Sequence, residues 1–116
     1  MPHCIAIVSD LIFSSRITGT ANRIGATCQI VRDLSSLQDA LETGDATTVL
    51  MDLSCDGLDP EEAIRTIKNK RPGVRIVAFC SHVQTELTAQ AKHAGADLVL
   101  PRSAFVQQLP QLLNAE

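Results

Sequence analysis

At 116 residues, with 45% apolar and 20% charged side chains, the chain has the size and balance of one globular domain spanning residues 1–116. A formal net charge of -3 disfavours nucleic acid or an anionic membrane as partner, and with no Trp, no Tyr and three Phe there is no platform on which bases could stack. No apolar run approaches a membrane span, and Met1-Pro2-His3-Cys4 lacks the basic stretch of a signal peptide, so the expected compartment is the cytoplasm.

His3–Ser9, centred on Cys4-Ile5-Ala6-Ile7-Val8, reads as a first strand. From Leu11 to Gly25 apolar residues recur at near-helical spacing, with Gly25 as the stop. Ala26–Val31 is a second apolar run, and a short helix follows over Leu37–Leu41, capped by Ser35 or Ser36 and stopped at Gly44. Thr47–Asp52 is a third strand. Its apolar residues do not alternate with polar ones, the pattern of a strand covered on both faces, and it ends on a carboxylate. Asp59-Pro60-Glu61-Glu62 opens the next helix with an Asp cap, Pro at the first position and acids in the first turn. That helix ends near Lys70-Arg71, and Lys68-Asn69-Lys70-Arg71 reads as a solvated end that complements the dipole. Val74–Phe79 is a fourth strand leading to Cys80-Ser81-His82. Gln84–Ala94 is a helix stopped by Gly95, Asp97–Leu100 a fifth strand, and Ala104–Leu113 a last helix capped by Ser103.

Strands that alternate with helices over short connections specify an α/β fold with a parallel sheet covered on both faces. With five βα units the expected fold is doubly wound, of flavodoxin-like order 2-1-3-4-5. That winding brings the ends of strands one, three and four together, so Asp10, Asp52, Cys80, Ser81 and His82 meet on one rim although they are far apart in sequence. Ligands of such sheets bind at this rim. The cysteines at 4, 28, 55 and 80 have no CxxC spacing, and Cys28 reads as a small packed hydrophobe. A mixed Cys/His/Asp zinc site, a redox pair of Cys55 and Cys80, or a small metal- or thiol-dependent enzyme using Cys80 and His82 are the alternative chemistries of this rim. Asp56 and Asp59 read as turn and cap, and His3 and His93 as surface residues. No nucleophilic triad, phosphate loop or dinucleotide fingerprint is present.

Taken together, Val8-Ser9-Asp10, Val49-Leu50-Met51-Asp52 and Ala91-Lys92-His93-Ala94-Gly95-Ala96-Asp97, spaced over five βα units, resemble the receiver domain of bacterial two-component response regulators (the CheY-like superfamily). The resemblance implies Asp52 as the phosphoacceptor position. It also implies Mg²⁺ ligands at Asp10, Asp52 and the Ser54 carbonyl, and phosphate or switch positions at Cys80, Ser81, Arg102 and Val99. Several of these depart from the family pattern. One acid of the pair is Ser9, the hydroxyl position is Cys80, the lysine position is Arg102, the aromatic position is Val99, and the usual Pro after strand three is missing. A guanidinium does not replace a compact ammonium, and a thiol is a weak donor to phosphate. The expectation is therefore a non-enzymatic pseudo-receiver, monomer or weak homodimer, acting by contact with a histidine kinase or a downstream signalling protein. Its output face would be the fourth helix, fifth strand and fifth helix, with Val99, Leu100, Phe105, Val106 and Leu109 as candidates to shape it, most of them expected in the core. The alternative of the same class is a working phosphoacceptor that uses Mg²⁺.

Overall fold

The computed structural model describes residues 3–55, 57–80 and 85–114. Ser81, His82 and Asp56 lie outside the described residues, and so do the expectations placed on them. Five strands and five helices alternate: β1 His3–Ile7, α1 Leu11–Ile24, β2 Thr27–Val31, α2 Leu34–Thr43, β3 Thr48–Asp52, α3 Pro60–Lys70, β4 Arg75–Cys80, α4 Thr85–Ala94, β5 Leu98–Pro101 and α5 Arg102–Asn114. All strand pairs are parallel, and the sheet order is β2-β1-β3-β4-β5, as the βα alternation implies.

Both faces of the sheet are covered. Side chains alternate across a strand, so each strand feeds two cores. Ile5, Ile7, Val49, Met51, Ile76 and Ala78 pack under α2, α3 and α4, where Leu37, Leu41, Ile64 and Ile67 meet them. Ala6, Val8, Leu50, Val77 and Phe79 pack under α1 and α5, against Phe13, Ile17, Phe105 and Leu109. The first core is aliphatic. The second holds all three aromatic rings of the chain, with Phe79 and Phe105 stacked at 4.1 Å and Phe13 at 4.9 Å from Phe79. Burial of so much apolar surface, at about 25 cal/mol per Å², is the dominant stabilising term.

Helix ends follow local chemistry, with three corrections to the sequence reading. Gly25 ends α1 in the left-handed region, φ 75°, where its N–H reaches the Ala21 and Asn22 carbonyls. Gly95 closes α4 at φ 126°, and a Cβ there would press on Lys68 at 3.3 Å. The first correction concerns α2, which starts at Leu34 and is capped by Asp33, not by Ser35 or Ser36. Asp33 Oδ1 accepts the Ser36 N–H at 2.8 Å, and the serines already sit inside the first turn. The second concerns α5. It starts at Arg102, so Ser103 is a first-turn residue and not the cap. The cause is that β5 runs directly into the helix, with Pro101 still paired with Cys80 of β4, which leaves no loop for Ser103 to close. The third concerns Arg71, which is not a solvated helix end. Its guanidinium donates to the carbonyls of Leu41, Gly44 and Ala46 and fastens the α2–β3 connection. Lys68 and Lys70 do lie at the surface of that end, paired with Asp97 and Glu42.

Candidate functional site

Among the described residues, the C-terminal edge of the sheet carries four aspartates, Asp10, Asp33, Asp52 and Asp59, that a sequence search for carboxylates would treat alike. Three of them cap helices. Asp10 Oδ1 accepts the Phe13 N–H at 3.0 Å at the start of α1, Asp33 caps α2, and Asp59 accepts from Glu61 and Glu62 at the start of α3. Asp52 caps nothing. It ends β3, is 2% exposed, and packs beside Leu53 and Cys55 at the mouth of the core. A buried carboxylate needs hydrogen bonds and a countercharge. Its Oδ1 accepts the Ser54 N–H at 2.8 Å, and its Oδ2 lies 3.7 Å from a terminal nitrogen of Arg102.

Several local features hold Arg102 there. Pairing of Cys80 with Pro101 brings the end of β5 to this edge, and Arg102 is the first residue of α5. The guanidinium carbon sits 4.6 Å above the centre of the Phe13 ring, a cation–π contact worth about 1 kcal/mol in such a half-buried place. Phe13 in turn rests on Phe79 and Phe105. The chain from Asp52 to Arg102 to the aromatic trio therefore joins the acidic rim to the α1–α5 core. The sequence reading missed Phe13. The signal for it was its spacing of four from Ile17 and eight from Ala21, which puts the three on one buried face of α1.

The sequence reading brought Asp10 and Asp52 to one rim, and they do end adjacent parallel strands, with Ile7 paired to Met51 one residue before Asp52. Asp10 is exposed and committed to its cap. Ser54 is exposed in the loop after β3. Cys80 is buried among the α2–α4 core residues, and Val99 packs against the same core from β5. Cys55 is also buried and donates its thiol to the Arg32 carbonyl at 3.7 Å. Of the residues expected to shape an output face, Phe105 and Leu109 are core residues, 0% and 1% exposed, while Val99, Leu100 and Val106 are half-buried. A cysteine pair does exist elsewhere. Cys4 and Cys28 are direct neighbours across β1 and β2. A hydrogen bond with Cys28, and then burial, push the Cys4 thiol well above the ordinary cysteine range, so it stays a protonated, inert thiol.

Mg²⁺ takes octahedral oxygen ligands, often one or two carboxylates completed by water. Asp10, which gives Oδ1 to the α1 cap, and Asp52, at the end of the neighbouring strand, are the candidate carboxylates, while Ser9 brings none and a guanidinium faces Asp52. Among the described residues, no group of three or more His, Cys, Asp or Glu is placed to hold a metal.

The sequence matches no family model and no curated relative. Solved structures do match. A response regulator from Burkholderia pseudomallei, with a phosphorylated aspartic acid, a calcium ion and citrate, superposes with a TM-score of 0.86 at 16% identity, covering 99% of this chain and 68% of that one. A CheY-like receiver domain protein from Methanospirillum hungatei gives 0.84 at 14% identity over 98% and 94% of the two chains. The receiver domain of a sensor histidine kinase from Pseudomonas aeruginosa, with magnesium in its active-site cleft, gives 0.80 at 18% identity over 98% of both. The fold is that of a response-regulator receiver domain. At such identities the likeness covers the path of the backbone and not the chemistry at its rim.

Proposed function

We propose that the chain is a receiver-like signalling domain of the two-component type that works by protein–protein contact, without enzymatic activity and without phosphorylation of Asp52. The observation that carries this reading is the state of Asp52. One of its oxygens is held by the Ser54 N–H and the other faces Arg102 across 3.7 Å, so the countercharge that a receiver rim draws from a metal is supplied here by the chain itself. The guanidinium over Phe13 is bulky, planar and permanently charged. It faces the carboxylate that a phosphoryl group would have to join, and acyl phosphate formation depends on a metal's electrostatic support there. The partner is a histidine kinase or a downstream signalling protein. A cytoplasmic location belongs to the same proposal. Among the described residues no helix is long and apolar enough to cross a membrane.

The test is incubation with acetyl phosphate and Mg²⁺, followed by intact mass. The unmodified mass is expected. A phosphoryl adduct that disappears in Asp52→Asn would overturn the reading and make the chain a working phosphoacceptor. That second reading draws its support from the placement of Asp52, at the end of β3 and beside a cation.

A further inference from the structure

Between α1 and α5 lies an open groove of about 590 Å³. Ile12, Phe13 and Arg16 line it from α1, and Arg102, Ser103 and Val106 from α5. Its volume falls in the range of small-ligand sites, roughly 300–1,000 Å³. The groove combines three features.

The first is charge. Two guanidiniums 86 positions apart in sequence (16 and 102) reach one groove, and the one acid among its described lining residues, Asp10, gives Oδ1 to the α1 cap. Arg16 is exposed, and its guanidinium has no hydrogen bond or ion pair among the described residues. The second is an unmet donor. Arg102 turns its terminal nitrogen towards Asp52, but its Nε is buried and has no hydrogen-bond partner. Buried donors without partners are rare, and each asks for an acceptor. The third is an apolar wall. Val106 and the 6% of Phe13 left exposed line it, and Ile12, 81% exposed, stands beside them. A large aliphatic side chain so far in water beside two cations gains by being covered.

We propose that the α1–α5 groove binds a small amphiphilic anion. Its carboxylate or phosphate-monoester head would lie between Arg16 and Arg102, and its flat apolar body would lie against Ile12 and Val106. The guanidinium fork suits both head groups, because each offers two oxygens in one plane to paired N–H donors. A bare inorganic anion would meet the cations and leave the apolar wall wet, and a neutral aromatic would do the reverse. The site depends on Arg16 and the groove, not on whether Asp52 accepts phosphate.

The experiment is a titration of the uniformly ¹⁵N-labelled full chain with phenyl phosphate, followed by amide shifts, with inorganic phosphate and phenol as separate probes. Saturable shifts at residues 12–16 and 102–106, with an affinity on the order of 1 mM or tighter, are expected for phenyl phosphate. Inorganic phosphate and phenol should each bind at least about tenfold more weakly, since each lacks half of the contact. Arg16→Gln, a surface change that leaves the core alone, should weaken phenyl phosphate by about tenfold, the loss of one charge-assisted pair. Asp52→Asn should leave binding in place, which separates this site from the reading of the acidic rim. Linear, non-saturating shifts, equal binding of inorganic phosphate, or binding unchanged in Arg16→Gln would each overturn the proposal.

Discussion

Each edge of the sheet carries an arginine that reaches across from a neighbouring element, and the two are used differently. At the N-terminal edge Arg71 spends its guanidinium on three backbone carbonyls, those of Leu41 and Gly44 at 3.0 Å and that of Ala46 at 2.9 Å. At the C-terminal edge Arg102 has one carboxylate at 3.7 Å, one aromatic face at 4.6 Å, and an Nε with no partner. A guanidinium saturated by fixed carbonyls is a fastener, because any other arrangement leaves buried acceptors unmet. A guanidinium with spare donors and an adjustable contact can change partners at little cost. The difference separates the edge that holds the fold from the edge that can respond to something.

That contrast is open to direct attack. Arg71→Ala should be the most damaging of the changes considered, because it strips a charged donor from three carbonyls at once. A loss of about 3 kcal/mol is expected, read as a fall in the urea midpoint with an unchanged slope. Phe13→Leu comes next. It removes two ring contacts and the platform under Arg102, and about 2 kcal/mol should go with them. If Phe13→Leu instead proves as costly as Arg71→Ala, the responsive edge is as rigid as the other and the distinction fails.

The fold was legible because its signals are local and repeated. Unbroken apolar runs, Gly25 and Gly95 as stops, and Asp59-Pro60 as a start each act over a few residues, and five of them in series admit few windings. The rim was legible only in part. Topology alone put Asp10 and Asp52 on one edge, but it could not say that Asp10 is spent on its cap while Asp52 is buried against a cation. The resemblance placed Arg102 at the family's lysine position. That it rests on Phe13 is a tertiary fact, set by the packing of α1 on α5. Arg71 was misread for the same reason. A basic residue at a helix end looks solvated until the loop that it fastens comes back beside it, about 25 to 30 residues away in sequence. Ser35, Ser36 and Ser103 misled as caps because a good capping residue stood near each helix start, while Asp33 and the strand end at Pro101 set the actual boundaries.

Arg102→Gln tests the responsive edge itself. The pair with Asp52 is long and the arginine is a third exposed, so solvent screens it and the loss should be only about 1 kcal/mol, despite the burial of the acid. Raising the salt concentration should shrink that difference between wild type and variant, whereas the cost of Arg71→Ala should hardly move. A salt-independent cost several times larger would mean that Arg102 is a fastener like Arg71.

The smallest effect belongs to Asp33→Asn, and it bears on which acids of the C-terminal edge are caps. Asparagine keeps a capping oxygen, so the change removes charge and little else. The backbone N–H of Ser36 holds the Asp33 carboxyl below the usual carboxylate range in the folded chain. A group with its folded pKa lowered adds stability that is fully present above the unfolded value and is lost as pH falls through the folded value. Wild type should therefore melt slightly above Asp33→Asn at neutral pH. The gap should begin to shrink as pH falls into the ordinary carboxylate range and close below the folded value, where both side chains are neutral. Melting curves of the two proteins from neutral to acid pH read this directly. A gap that stays constant down to low pH would mean that the charge contributes nothing at this cap. Asp33 would then be an ordinary polar cap, and charge at this edge would matter only where Asp52 faces its arginine.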